Sequence, residues 1–130
     1  FLKIRKKNYH YLKELLISNK KIEILKTESE KIYKLDSSYY CLSIILKKSN
    51  RTKRNLIIKK LSSMGVGCSV YYPRAIPDYT YYKNKFSGSK VINSRIIADK
   101  SISLPVAPHI SIKQLDFIAK IVKEVLNKEI

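Results

Sequence analysis

The sequence has 130 residues, of which 27 are basic and 10 acidic, giving a formal net charge of +17; 45% of the residues are hydrophobic and 10% aromatic. This length and composition predict one packed globular domain and exclude a disordered chain or a membrane span. Cys41 and Cys68 lack the spacing of a disulfide framework, which favours reduced thiols in a cytosolic protein. The chain begins at Phe1 without a signal-peptide pattern, which suggests a portion of a longer protein.

The positive charge raises the hypothesis of a small basic nucleic-acid-binding α/β module, because lysine and arginine neutralise phosphates. Lysine supplies 22 of the 27 basic residues and is spread along the chain, whereas arginine, which recognises phosphates by its planar fork, is scarce. Residues 47–60 hold seven basic residues in fourteen, a pattern typical of the exposed face of a helix. We therefore interpret the charge as a solvated lysine surface and keep nucleic-acid binding as the alternative.

Two amphipathic helices are predicted in the first half of the chain, over residues 3–18 and 51–64. Gly65 follows the second helix, where a left-handed cap is expected. The predicted buried positions are Ile4, Tyr11, Leu12, Leu15 and Leu16 in the first helix, and Ile57, Leu61 and Met64 in the second.

Three strands are predicted over residues 39–47, 66–72 and 101–105, and the first of these is apolar on both faces, as in the inside of a sheet. In the second, alternate residues point to opposite faces. The sets are Val66, Cys68, Val70 and Tyr72 on one face and Gly67, Ser69 and Tyr71 on the other. A further short strand is possible around Ile22, Ile24, Ile32 and Tyr33.

The second half of the chain contains a long tyrosine-rich loop, predicted over residues 73–91, a short helix over 92–99 and a final helix that starts at Ser111. Ser111 and Gln114 have the spacing of a capping box. The apolar stripe of the final helix is Leu115, Ile118, Ala119, Val122, Val125 and Leu126. The elements together predict a single α+β domain over 1–130, with helices packed on a short sheet.

Several kinds of active site are excluded by the residues present. The histidines and cysteines are isolated in sequence, which argues against zinc, and no nucleophile elbow, phosphate-binding glycine loop or carboxylate pair is found. We therefore expect the chain alone to be inactive as an enzyme.

Two stretches and one helix pattern carry a family resemblance. They are GVGCSVYYPR at 65–74, SISLPVAPH at 101–109, and the series Arg5, Asn8, Tyr11, Leu12 and Leu16. In this order the motifs resemble the C-terminal region of the DegT/DnrJ/StrS family of sugar-nucleotide aminotransferases, and the resemblance covers essentially the whole chain. It implies the small C-terminal domain of a type I aminotransferase fold, with a short, mostly antiparallel sheet.

The resemblance also implies a function. Such enzymes hold pyridoxal phosphate on a lysine and move an amino group, usually from glutamate, to a keto sugar nucleotide, in the biosynthesis of amino sugars and cell-surface polysaccharides. The cofactor lysine is expected in a large domain outside this chain, and a cytoplasmic homodimer is expected. The dehydratase branch of the family, and the identity of the sugar, stay open.

The candidate substrate-binding residues, carried over from the family motif, are Tyr71, Tyr72 and Arg74. Tyr71 stands where many members have histidine in a His-Tyr-Pro triplet, and Tyr72 and Pro73 match the rest of it. This departure removes an imidazole but keeps a ring that can form hydrogen bonds. Catalytic and metal-binding residues are not expected in this chain.

Overall fold

A computed structural model describes residues 1–25 and 37–130. The described residues form the helices α1 (Leu2–Leu16), α2 (Arg51–Ser63), α3 (Thr80–Lys83), α4 (Ile92–Lys100) and α5 (Ile112–Glu129), and the strands β1 (Ile22–Ile24), β2 (Cys41–Leu46) and β3 (Ser101–Pro105). The predicted α+β class is confirmed. Ile32 and Tyr33, named above for a possible strand, lie outside the described residues.

The three strands form one antiparallel sheet in the order β1-β2-β3, so β2 lies inside the sheet as predicted. In the register of β2 and β3, Leu42 lies opposite Leu104 and Ser43 opposite Ser103. Because side chains alternate along a strand, the leucines share one face and the serines share the other. The leucine face is fully buried, and we call it the inner face; the serine face is the outer face.

Helices α1 and α5 pack on each other in the hydrophobic core that covers the inner face. Every residue of the predicted apolar stripe of α5 is buried, and Ile121 joins it. The predicted capping box is present. The Ser111 hydroxyl oxygen accepts a hydrogen bond from the backbone N–H of Gln114, and the side-chain oxygen of Gln114 accepts one from the backbone N–H of Ser111. Gly65 has a positive φ of 83° after α2, as a left-handed cap requires.

The prediction of a strand over 66–72 is wrong except at one position. Only Ser69 pairs with β3, through two backbone bonds to Ser103 with N···O distances of 2.8 and 3.0 Å. Val66 is buried and Cys68 packs on the core, so the alternation is real at its start. Continuing the antiparallel register would set residues 70 and 71 opposite Ile102 and Ser101 of β3, but these positions form no pair, so pairing stops at Ser69 although β3 continues.

The helix predictions need two corrections in burial. Ile4 was expected in the core but is 47% exposed, while Asn8 and Tyr9 of α1 are buried. Arg54 belongs to the basic cluster predicted to lie on an exposed helix face, yet it is only 2% exposed, and its guanidinium donates to the Ser101 carbonyl oxygen at 3.3 Å. Burial lowers the pKa of Arg54.

The predicted loop 73–91 contains a 3₁₀ turn, Ile76–Asp78, and the single-turn helix α3. Most of its side chains are exposed. Arg95 of α4 holds it by hydrogen bonds from Nε and Nη2 to the Asp78 carboxylate, at 2.9 to 3.2 Å, and from Nη1 to the Ser89 carbonyl. The loop is therefore tied to the domain by polar contacts more than by burial.

Candidate functional site

A groove of about 200 Å³ lies on the outer side of the domain, where β2 begins, β3 ends and the 67–71 segment passes. We call it the hydroxyl groove, after the Tyr and Ser side chains in its lining. Its lining residues are Tyr40, Cys41, Gly67, Cys68, Ser69, Tyr71, Ser103, Leu104, Pro105, Val106 and Ala107. The two stretches that carry the family resemblance thus meet in one place.

Of the three predicted substrate-binding residues, only Tyr71 lines the hydroxyl groove. Tyr72 is 72% exposed beside it, and the peptide bond between Tyr71 and Tyr72 is cis. Arg74 is also exposed, and it follows Pro73 at the start of the loop. The structure therefore brings Tyr71 together with residues that the sequence analysis did not single out.

Tyr40 is the first of these residues. Its hydroxyl lies 3.4 Å from the hydroxyl of Tyr71, and the two ring centroids are 5.7 Å apart. Tyr39 explains its orientation, because that ring is buried against Tyr9 and its backbone has a positive φ of 46°. Since Tyr39 fills the core, Tyr40 is left on the outer side, 63% exposed.

The two tyrosine hydroxyls shift each other's pKa in opposite directions. Hydrogen bonds to Tyr40 and then to Ser69 lower the pKa of Tyr71, and the hydrogen bond to Tyr71 raises the pKa of Tyr40. Either hydroxyl can be the donor between them, so the one that accepts keeps its own proton to donate to a ligand.

Ser69 and Ser103 line the groove, and Ser43 contacts Ser103. The Ser43 and Ser103 hydroxyl oxygens lie 3.1 Å apart across β2 and β3, and the Cys41 sulfur lies 3.6 Å from the Ser43 oxygen. In the sequence, these residues belong to an alternation of small polar and apolar residues in β2 and β3. The alternation predicts that they lie together once the register of the strands is known.

Asn8, which lies in α1 near the start of the chain, supports the groove. Its side-chain amide is buried and donates to the carbonyl oxygens of Ala107 and Ile110 at 3.0 and 3.1 Å. Ala107 lines the groove in the turn that follows β3. Asn8 of the helix pattern named above therefore fixes the turn that contains the second motif.

The hydroxyl groove by itself does not fit pyridoxal phosphate. Its lining contains no lysine to bond the cofactor, no carboxylate to pair with the pyridine nitrogen and no cation for the phosphate. In the part of the chain that the structure describes, no group of three or more His, Cys, Asp or Glu residues could hold a metal ion. The residues of the groove therefore do not form a cofactor site on their own.

A larger concavity of about 580 Å³ runs along α2, where Asn50, Lys53 and Lys59 are among its lining residues. All of its lining comes from residues 50–59, so a single helix and its cap form it. Binding sites gather polar groups from several elements, and the hydroxyl groove meets that criterion while this concavity does not.

Among residues 1–25 and 37–130, no helix combines the length and the apolar character needed to cross a bilayer. Both cysteines are free thiols, and burial raises the pKa of Cys68, as expected for a thiol packed against a core.

Comparisons with known proteins agree with the fold. A search of curated protein sequences returned no match. Among solved structures, one named as a sugar aminotransferase, Spr1654 of Streptococcus pneumoniae in its PMP form, matches 99% of this chain with 25% identity and a TM-score of 0.82. Helicobacter pylori PseC, an aminotransferase of pseudoaminic acid biosynthesis, matches 98% with 20% identity and a TM-score of 0.82.

The chain spans about a third of the length of these structures, 31% of Spr1654 and 33% of PseC. Spr1654 structures include PLP and PMP forms, so the prediction of pyridoxal phosphate is confirmed for the family. The sequence model of the DegT/DnrJ/EryC1/StrS aminotransferase family matches residues 1–123. Since this match covers nearly all of the chain, the chain belongs to the DegT/DnrJ/EryC1/StrS aminotransferase family.

Proposed function

We propose that this chain is the C-terminal part of an aminotransferase that moves an amino group, from glutamate, to a keto sugar carried on a nucleotide diphosphate. The observation that carries the proposal is the family match over residues 1–123, together with a fold shared with sugar aminotransferases three times as long. A large domain outside these residues holds the pyridoxal phosphate and its lysine. The full-length enzyme acts as a cytoplasmic homodimer in amino-sugar biosynthesis, and the 130-residue chain alone is inactive.

In this proposal the chain binds and orients the substrate. Tyr71 faces the hydroxyl groove, where its hydroxyl is held by Tyr40 and Ser69. Tyr72 and Arg74 follow Tyr71 in the sequence with exposed side chains, and the ring of Tyr72 contacts that of Tyr71. Arg74 has the planar donor fork that suits a phosphate or a carboxylate, the two anionic groups of the proposed substrates.

The test is amino transfer by the full-length protein with pyridoxal phosphate, glutamate and a panel of keto sugar nucleotides, measured as 2-oxoglutarate formed. We expect transfer by the full-length protein and none by residues 1–130. Arg74→Ala should raise the KM of an anionic substrate about tenfold, as loss of one charge-assisted bond does, and Arg74→Lys should raise it less. No transfer to any keto sugar in the panel would contradict the proposal.

The alternative, a basic nucleic-acid-binding module, is less well supported by the placement of the arginines. Arg51 and Arg95 form ion pairs with Asp99 and Asp78, and Arg54 is buried. Nucleic-acid recognition depends on exposed cations, and among residues 1–25 and 37–130 most of the other cations are lysines, which occur in every helix. Salt-dependent binding to mixed-sequence DNA would revive this alternative.

A further inference from the structure

We propose that Arg95 is a positioning residue for substrate binding, because its hydrogen bonds hold the tyrosine-rich loop and thereby fix the position of Arg74. The inference rests on the proposed function, in which Arg74 binds an anionic group of a substrate. It adds a residue of α4 that does not itself contact the ligand. Its effect on binding passes through Asp78 and then through Arg74.

Arg95 is bonded to two points of the loop that lie far apart in the sequence. Its Nε donates to both oxygens of the Asp78 carboxylate at 3.0 and 3.2 Å, and its Nη2 donates to one of them at 2.9 Å. Its Nη1 donates to the carbonyl oxygen of Ser89 at 3.2 Å. One planar guanidinium therefore holds both ends of residues 79–88, a geometry that a lysine ammonium cannot reproduce.

Residues 79–88, between these two points, are all exposed. The rings of Tyr81, Tyr82 and Phe86 contact one another, with centroid distances of 4.9 and 5.9 Å, and none of the three is in the hydrophobic core. Burial therefore contributes little to holding this segment in place. Joining its two ends through Arg95 lowers the entropy cost of ordering it, because a closed loop has fewer conformations than a free one.

A single turn connects the Asp78 carboxylate to Arg74. The backbone N–H of Asp78 donates to the carbonyl oxygen of Ala75 at 2.9 Å, and the Ala75 side chain is buried. Hydrogen bonding from Arg95 lowers the pKa of Asp78 most, and the charge of Arg74 lowers it further, so Arg74 lies within electrostatic range of Asp78. The bonds from Arg95 to Asp78 therefore fix the turn that directly follows Arg74.

The two arginines differ in what their guanidinium groups have left to bind. All three nitrogens of Arg95 already donate hydrogen bonds to the loop, so an anion bound there would compete with the Asp78 carboxylate. Arg74 is exposed, and in the part of the chain that the structure describes no carboxylate forms an ion pair with it. This contrast assigns binding to Arg74 and positioning to Arg95.

The experiment measures dissociation constants of the full-length protein by calorimetry for two kinds of anionic probe, nucleoside diphosphates (UDP, dTDP and GDP) and 2-oxoglutarate. Arg74→Ala identifies the probe whose binding depends on Arg74. We expect Arg95→Ala, Arg95→Lys and Asp78→Asn each to weaken binding of that probe about 2- to 10-fold, within the loss caused by Arg74→Ala, and to leave the other kind of probe unchanged. The three variants keep the test decisive if one of them fails to fold.

Asp78→Asn separates positioning from direct binding, because the two roles predict opposite signs. If Arg95 contacted the anion, loss of the competing carboxylate would free its guanidinium and tighten binding. Arg95→Lys would then bind nearly as well as the unchanged protein, because it keeps the charge. Tighter binding in Asp78→Asn, or unchanged binding in the Arg95 variants, would overturn the proposal.

The Arg74→Ala background tests whether the effect passes through Arg74. If it does, Arg95→Ala causes no further loss of binding there, so the two substitutions are not additive. Additive losses would overturn the proposal. It would also be overturned if Arg74→Ala bound every probe as the unchanged protein does, because Arg95 would then have no binding residue to position.

Arg51→Ala is the matched control. The side chains of Arg51 and Arg95 are both 42% exposed and each pairs with an aspartate, at 2.7 and 2.9 Å, but the pair of Arg51 with Asp99 joins α2 to α4 and leaves the loop bonded. We expect Arg51→Ala to bind every probe as the unchanged protein does. A loss equal to that of Arg95→Ala would indicate a general effect of charge or stability and would overturn the proposal.

The amino-transfer assay gives a second readout on the same variants. Positioning predicts that Arg95→Ala raises the KM of the substrate that depends on Arg74 and changes kcat by less than about twofold. A fall in kcat with an unchanged KM would overturn the proposal. Failure of the proposed function is distinguishable, because the probes are bound without reaction. If the predicted losses of binding occur in a protein that transfers no amino group, the role of Arg95 stands and the reaction assignment falls.

Discussion

The two faces of the sheet are built from the same strands but differ in chemistry, although the outer face also carries Ile45, which is buried. On the inner face, Leu42, Ile44 and Leu104 are fully buried in the core under α1 and α5. On the outer face, Ser43 and Ser103 pair through their hydroxyls beside the hydroxyl groove. Because neighbours along a strand point to opposite sides, one residue step separates a packing role from a polar one. We expect stability to depend on the inner face and ligand binding on the outer face.

The sharpest test of this comparison uses adjacent residues of β2. Leu42→Ala removes a fully buried side chain and is expected to lower the free energy of unfolding by about 2–5 kcal/mol. Ser43→Ala removes one hydroxyl contact with Ser103 and should cost only about 0.5–1.5 kcal/mol. Urea denaturation of both variants measures the difference. Equal losses would show that the two faces do not divide the roles as stated.

Asn8 joins the two regions, since it lies in α1 and holds the turn beside the groove. Asn8→Ala removes the side-chain donor to the Ala107 and Ile110 carbonyl oxygens, and the Ala107 oxygen keeps a bond from the Ile110 backbone N–H. We expect the free energy of unfolding to fall by about 1–3 kcal/mol. Asn55→Ala, at an exposed position of α2, is the control and should change it by no more than about 0.5 kcal/mol. If Asn8→Ala lowers the free energy of unfolding no more than Asn55→Ala does, the hydrogen bonds from Asn8 to the turn do not stabilise the domain.

The smallest effect is expected at the ion pair that holds the tyrosine-rich loop. Hydrogen bonding from Arg95 lowers the pKa of Asp78 below its ordinary 3.8. The pair is therefore fully present above pH 3.8 and is lost as the pH falls through the lower, folded-state pKa. In an NMR titration, the Asp78 midpoint should lie below 3.8 and move upward in Arg95→Ala.

The control for this titration is Lys128→Ala, which breaks a pair with Glu124 on α5. It should leave the Asp78 midpoint unchanged. A midpoint that Arg95→Ala does not move would show that the loop is held by other contacts.

The sequence by itself determined the elements whose signal is local. The apolar stripe of α5, its capping box and the glycine cap after α2 each depend on residues within a few positions of one another. The motif series also singled out Tyr71, which the structure places in the lining of the groove; its role in substrate binding stays a prediction.

Only the tertiary structure decided the contacts between distant residues. Tyr40 meets Tyr71 across 31 positions, and Asn8 reaches Ala107 across 99, distances at which no periodic pattern operates. The burial of Arg54 has the same origin, because it depends on the carbonyl oxygen of Ser101 that the fold brings within reach of its guanidinium. Local sequence sets propensity and periodicity, whereas partners are set by the packing of the whole chain.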